Sequence, residues 1–260
     1  MSYTIAIAGK GGTGKTTIAA LLVRLLKEAD IGSILAVDAD PNSNLAEVLG
    51  VEVKQTIGSI VDQVSAAPNK VPSGMPKDRF IEYEVQSAIS EAEGFDILTM
   101  GKPEGPGCYC YVNNCLRGVM VKLLDTYDYI IIDNEAGLEH LSRRTTRKAD
   151  CLVVVSDATP VGLRSAKRIS DLVSELKIEV ANKFLLVNRF NGEFSQEKIG
   201  SFGLEYIGCL PQDSLIAKAS LSGESLMQLK ADSEALKPLR QILSTKIAPR
   251  QAGSHAARVE

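Results

Sequence analysis

Residues 9–17 read Gly9-Lys10-Gly11-Gly12-Thr13-Gly14-Lys15-Thr16-Thr17, and this stretch restricts the fold more than any other. The apolar run Tyr3-Thr4-Ile5-Ala6-Ile7-Ala8 precedes it and Ile18-Ala19-Ala20-Leu21-Leu22-Val23 follows it, so a strand feeds a glycine-rich turn that opens a helix. Gly9, Gly14, Lys15 and Thr16 satisfy G-x-x-x-x-G-K-[ST]. Glycines let the backbone curl until consecutive N–H groups face one anion, the helix start adds the positive end of its dipole, and Lys15 reaches the outer phosphates. Gly11, Gly12, Thr13, Gly14, Lys15, Thr16 and Thr17 are therefore the expected phosphate contacts, with the Thr16 hydroxyl offered to Mg²⁺.

Gly9, Gly11 and Gly14 also spell G-x-G-x-x-G after a strand, and Asp38 ends a second strand where a dinucleotide fold keeps its ribose acid. Lys15-Thr16-Thr17 decides between the two. A diphosphate lying on bare backbone has no use for a lysine and paired hydroxyls, whereas a nucleoside triphosphate with its metal uses both.

The rest of the chain supports an α/β fold. Short apolar runs at residues 5–8, 34–38, 95–100, 129–133, 151–156, 184–188 and 206–210 alternate with helical stretches. Continuous apolar strands are buried on both faces, which calls for a mainly parallel sheet flanked by helices, with ligands at the carboxyl ends of the strands. The 260 residues fit a single domain over 1–248, with 249–260 as a flexible tail and looser stretches at 66–76 and 102–114. A net charge of −3 without long charge runs advertises neither nucleic acid nor an anionic membrane. No run reaches a membrane-spanning length, and a phosphate loop stands where a signal peptide would have its apolar core, so a cytoplasmic protein is expected.

Two carboxylate clusters complete the expected site. In Val37-Asp38-Ala39-Asp40-Pro41-Asn42, alternation along an extended chain points both acids to one side, one for the Mg²⁺ shell and one for the attacking water; Asp-Pro-Asn turn chemistry is the structural alternative. The strand Tyr129-Ile130-Ile131-Ile132-Asp133 delivers a further acid at its end, where a P-loop NTPase keeps its Mg²⁺-side carboxylate.

With Lys10 directly after the first glycine, the loop resembles the deviant Walker A motif of the MinD/ParA/nitrogenase-iron-protein class of dimerising ATPases. The likeness runs on through Asp38, Asp40, the Asp133 strand, Asn188-Arg189 and Leu210-Pro211-Gln212-Asp213. It implies ATP and ADP as ligands and a face-to-face homodimer in which Lys10 reaches the other subunit's nucleotide. It further implies that Asp40 positions the water, that Asp38 supports Mg²⁺ and switch motion, that Asn188 reads the adenine with Arg189 also at the nucleotide, and that Pro211 to Asp213 close on the base.

Members of that class differ in what the dimer carries, which draws attention to Gly105-Pro106-Gly107-Cys108-Tyr109-Cys110-Tyr111. In an extended segment the sulfurs of Cys108 and Cys110 face the same way, and a two-fold dimer would complete a four-thiolate site for Zn²⁺ or Ni²⁺. The two histidines, His140 and His255, lie elsewhere. The segment is similar to that of CooC-type ATPases, which assist nickel insertion into carbon monoxide dehydrogenase, and of the related accessory ATPase of acetyl-CoA synthase; Asp133-Asn134-Glu135-Ala136-Gly137 shares that likeness. Cys115 reads as a packing residue or spare ligand at the start of the next helix, and Cys151 and Cys209 as buried structural thiols.

Residues 134–140 hold no cysteine, which disfavours an iron–sulfur reductase, and Cys-x-Cys stands where cluster scaffolds carry Cys-x-x-Cys. The alternative is a spatial-organisation ATPase of the MinD/ParA type. For membrane use it would rely on Leu236, Leu239, Ile242, Leu243 and Ile247 with Lys237, Arg240 and Lys246 on other faces; the same pattern also suits a helix docked on its own domain.

Overall fold

The apolar runs become the strands of one sheet in the computed structural model, which describes residues 2–67, 69, 71–102, 109–123, 126–135, 148–192 and 194–248. The strands are β1 (Tyr3–Gly9), β2 (Ile34–Ala39), β3 (Ser90–Ala92), β4 (Phe95–Thr99), β5 (Tyr129–Asn134), β6 (Lys148–Ser156), β7 (Glu179–Val187) and β8 (Glu205–Cys209). They lie in the order β3-β4-β2-β5-β1-β6-β7-β8, and every neighbouring pair is parallel except β3 with β4. The strand that feeds the glycine loop is thus interior, with β5 on one side and β6 on the other.

Side-chain alternation sends apolar groups to both faces of the sheet. Ile5, Ile7, Ala36, Ile97 and Ile131 join one core with helices α1 (Lys15–Ala29) and α2 (Leu45–Leu49). On the opposite face Leu35, Val37, Leu98, Ile130 and Ile132 pack with α3 (Ile57–Ala66), α4 (Lys77–Ser87) and α5 (Tyr109–Leu123). Ala6, Ala8, Val154 and Leu185 meet α6 (Pro160–Glu175). Ile18, Leu21, Leu22, Leu25 and Leu26 of α1 are all essentially inaccessible, each worth about 1.5–3 kcal/mol of burial, so the helix carrying the phosphate loop is firmly seated.

Helix α7 (Ser214–Ser222) follows β8, and α8 (Leu236–Ile242) runs on into a π-helical turn, Leu243–Ile247. Leu236, Leu239, Ile242, Leu243 and Ile247 all join the α1 core. Outside, Arg240 pairs with Glu28 at 2.7 Å and Lys246 with Glu205 at 2.6 Å. The amphipathic stripe is therefore used up by its own domain, and no apolar face of this segment is left for a bilayer. Among the described residues no helix is long and apolar enough to cross a membrane.

Two expectations need correction. No apolar run marks residues 90–92 as a strand, yet Ser90-Glu91-Ala92 pairs antiparallel with β4 through a turn at Gly94, whose φ is 81°. Such a short edge strand needs neither β-branched residues nor alternation, so it leaves no periodic signal. The looser stretch expected over 102–114 is helical from Tyr109, because Val112 and Leu116 continue an apolar face into the α3–α4–α5 core. Cys115 accordingly lies within α5, half-buried against that core, rather than at a helix start. The tail 249–260 lies outside the described residues.

Candidate nucleotide site

β1 ends at Gly9 and α1 begins at Lys15, so the loop between them sits at the carboxyl ends of the strands. A Cβ on Gly9, at φ 155°, would stand 2.2 Å from the Val155 carbonyl oxygen, so glycine is required where the loop crosses β6. Thr13 turns back on Lys10, donating from its N–H at 3.3 Å and its hydroxyl at 2.8 Å to the Lys10 carbonyl. Gly14 caps α1 in the left-handed conformation with no side-chain acceptor, which leaves the first N–H groups of α1 facing the loop. Lys15 and Thr13 are buried, whereas Lys10, Gly11 and Gly12 are exposed at the surface.

The expected acids converge on this loop. Asp38 and Asp133 are partners in the β2–β5 register, and both lie on the α1 side of the sheet with Ala36 and Ile131. Asp133 is 1 % exposed, and burial lifts its pKa to about 6 against the pull of its hydrogen bond with Thr16 and of the Lys15 ammonium. One of its oxygens, Oδ1, is buried without a hydrogen-bond partner. A hard oxygen donor left open beside the Thr16 hydroxyl and a phosphate loop fits Mg²⁺, which takes one or two protein oxygens and completes its shell with phosphates and water. Among the described residues no group of three or more His, Cys, Asp or Glu side chains gathers to hold a metal ion.

Asp38 is differently placed. It is fully buried, and burial, the Asp133 charge and the Asp40 charge push its pKa up to about 7 against two backbone hydrogen bonds. Its Oδ1 accepts from the Asp40 N–H at 3.1 Å and its Oδ2 from the Leu45 N–H at 2.8 Å, so it ties the 40–45 loop and the start of α2 to the end of β2. Asp40 in turn accepts from both the backbone N–H and the side-chain amide of Asn42 at 2.9 Å, which is the turn chemistry that Asp-Pro-Asn announces.

Beyond the loop, β7 delivers Asn188 and Arg189. Asn188 donates from Nδ2 to the Thr13 carbonyl at 2.8 Å, and Arg189 from its guanidinium to the Gly12 carbonyl at 3.3 Å. A cavity of about 370 Å³ opens beside them, lined by Thr17, Ile18, Asn188, Arg189, Pro211 and Asp213 among others, so the residues expected near a base come together on one side of the phosphate loop. The carboxylate of Asp213 is already engaged, accepting from the N–H groups of Leu215, Ile216 and Ala235 and from the Ser233 hydroxyl. It builds the wall of the cavity by capping α7.

Against known proteins, the chain matches the CobQ/CobB/MinD/ParA nucleotide binding domain over residues 4–226. It belongs to this family. An ATP-binding protein of Methanocaldococcus jannaschii is 41% identical over 92% of this chain and 96% of its own length. The carbon monoxide dehydrogenase accessory protein CooC of Rhodospirillum rubrum is 30% identical over 96% of this chain and 99% of its own length. In fold, this MinD/ParA-type chain is similar to MinD of Pyrococcus horikoshii, a structure holding Mg-ADP, with a TM-score of 0.69 at 22% identity over 96% of this chain and 98% of that one. It is likewise similar to a ParA family ATPase of Chlorobium tepidum, with a TM-score of 0.71 at 20% identity, covering 92% and 96% of the two chains.

The cysteine pair is a separate matter. Cys108 lies outside the described residues. The backbone at Cys110 is in the first turn of α5, so the extended geometry assumed for Cys-x-Cys does not hold at its second member. Cys151 is fully buried in β6, while Cys209 is half-buried at the end of β8, packed beside the third core.

Nothing in the residue pattern assigns Asn134 a role. Its amide donates to the Ile7 carbonyl at 2.9 Å, clamping β5 to β1 just before the phosphate loop. A polar residue directly after a strand-ending acid was the available signal.

Proposed function

We propose that this MinD/ParA-type protein is a Mg²⁺-dependent ATPase that closes as a homodimer on nucleotide and passes a divalent metal ion, nickel or zinc, to a client enzyme. Of possible clients, the reading favours a nickel enzyme of the carbon monoxide dehydrogenase or acetyl-CoA synthase type. The observation that carries the ATPase part is the convergence of Lys15, Thr16, Asp38 and Asp133 on one glycine loop, with an open acceptor on Asp133. The metal-delivery part is supported by end-to-end similarity to CooC and by Cys108 and Cys110 preceding and opening α5.

In this reading the N–H groups of the loop and Lys15 bind the β- and γ-phosphates, and Thr16 and Asp133 would hold Mg²⁺, which when bound would supply positive charge beside the phosphates. Asp40 orients the attacking water. Asp38 acts through the loop it fastens, so a change at the phosphates reaches α2. The exposed Lys10 is free to meet the nucleotide of a second subunit. Asn188, Arg189 and Pro211 bracket the adenine, and the work is cytoplasmic. The burial of Leu239 and its neighbours speaks against a membrane-bound positioning role.

The direct test is steady-state ATP hydrolysis in the parent, Lys15→Ala and Lys10→Ala proteins, with oligomeric state followed by size-exclusion light scattering. Loss of turnover in both variants, with ATP still bound by Lys10→Ala, is expected. Undiminished hydrolysis in either one would remove the catalytic assignment.

A further inference from the structure

The row of side chains that faces α1 at the carboxyl ends of the strands continues past Asp133 and Asp38. Thr99, the last residue of β4, is the register partner of Asp38, and it lies on the α1 side of the sheet as its strand-mates Phe95 and Ile97 do. It is 2 % exposed, and its hydroxyl has no hydrogen-bond partner. A buried hydroxyl without a partner is costly, and a valine of nearly the same shape would avoid that cost.

What Thr99 stands beside gives the hydroxyl its use. Both oxygens of Asp38 are held by backbone N–H groups of the 40–45 loop, from Asp40 and Leu45. If that loop shifts between nucleotide states, the carboxylate loses both donors while remaining buried. Of its neighbours in the strand register, Asp133 is another acid and offers no donor above its own pKa, whereas Thr99 offers an O–H.

We propose that Thr99 is a positioning residue that acts through Asp38: its hydroxyl donates to the Asp38 carboxylate when the 40–45 loop lets go, giving the acid a second resting place. In the state seen here the loop holds Asp38 and Thr99 waits unpartnered. In the released state Thr99 holds Asp38, and the loop with the start of α2 is free to move. Each position leaves something unmade, the Thr99 hydroxyl in one and the Asp40 and Leu45 N–H groups in the other. This inference rests on the nucleotide-switched reading above, but the loop's release is measurable without nucleotide.

Amide hydrogen exchange of the nucleotide-free protein tests it, comparing the parent with Thr99→Val, Thr99→Ala and Thr99→Ser. Removing the hydroxyl withdraws the donor only from the released state, so exchange at the Leu45 and Asp40 amides is expected to slow roughly fivefold in the valine and alanine variants, the size of one hydrogen bond. Serine is expected to keep the parental rate. Protection elsewhere, in β1 and β6 for example, should shift no more than a general stability change demands. Unchanged exchange at Leu45, equal slowing throughout the core, or a serine variant that behaves like alanine would each overturn the proposal. Should valine prevent folding, the alanine and serine pair decides it alone. ATPase failure with the exchange pattern intact would count against the hydrolytic reading and leave the Thr99 switch standing.

Discussion

Replacing Asp133 by asparagine separates two effects that its environment combines. The acid is buried, and its pKa of about 6 stands above an ordinary 3.8 chiefly because burial disfavours the charged form. The folded protein therefore holds this proton more tightly than the unfolded chain does. Unfolding releases it between about pH 4 and pH 6, and stability falls as pH rises through that window and then levels off. At 1.36 kcal/mol per pK unit, the ionised acid costs the nucleotide-free protein on the order of 3 kcal/mol at pH 8 and nothing at pH 3. Asparagine keeps one acceptor for Thr16 and removes the charge, but its amide N–H₂ adds a buried donor that can cost about 1–3 kcal/mol at every pH. The informative quantity is thus the slope: Asp133→Asn should gain about 3 kcal/mol on the parent between pH 3 and pH 8, roughly 6–12 °C in Tm for a chain of this length. Urea unfolding at a series of pH values measures it. Adding Mg²⁺ and ADP at pH 8 should stabilise the parent more than the variant, because saturation at about 100 times Kd stabilises the parent by about 2.7 kcal/mol while the variant loses the Mg²⁺-dependent share. A stability difference that stays flat with pH, or equal Mg²⁺-ADP stabilisation of both proteins, refutes the reasoning.

Other outcomes follow from the same geometry. Gly9→Ala places a methyl group 2.2 Å from the Val155 carbonyl, so the loop must deform; nucleotide binding by calorimetry should be lost even if far-ultraviolet dichroism shows the fold retained. Asn188→Ala removes the 2.8 Å bond to the Thr13 carbonyl, and ADP affinity is expected to fall about tenfold, measured by fluorescence competition. Leu239→Ala, at a fully buried position in α8, should cost about 2–5 kcal/mol in urea unfolding, whereas Lys237→Ala on the exposed side should cost less than about 0.5 kcal/mol. If instead Leu239→Ala left stability unchanged and abolished vesicle binding, the docked-helix assignment would fail.

Much of this was legible in the residues because the signals were local and strong. A glycine loop between an apolar strand and an apolar helix admits few folds, and apolar runs without polar alternation demand a sheet covered on both faces. The convergence of Asp38 and Asp133 followed once both ended parallel strands. Other features depend on partners distant in sequence and leave no periodic trace. Asp38 fastens the 40–45 loop through two backbone N–H groups, which no side-chain pattern reveals. Asp213, expected to close on the base, lines the cavity, and its oxygens also cap α7 and hold Ser233 and Ala235, which no local pattern announces. Thr99 looks like an ordinary strand-end threonine until the register sets it beside Asp38. The start of α5 at Tyr109 was hidden by the Pro/Gly-rich residues before it, and it replaces the extended Cys-x-Cys geometry with a helical turn at Cys110.

Native mass measurement during Ni²⁺ titration, without nucleotide and with ADP or ATP, bears most directly on metal delivery by a nucleotide-switched dimer. One ion per dimer is expected in the parent, with ATP shifting the dimer population and with the ion lost when Cys108→Ser and Cys110→Ser are combined. One ion per monomer, or equal metal binding by the double variant, would contradict a site shared between two copies of this chain.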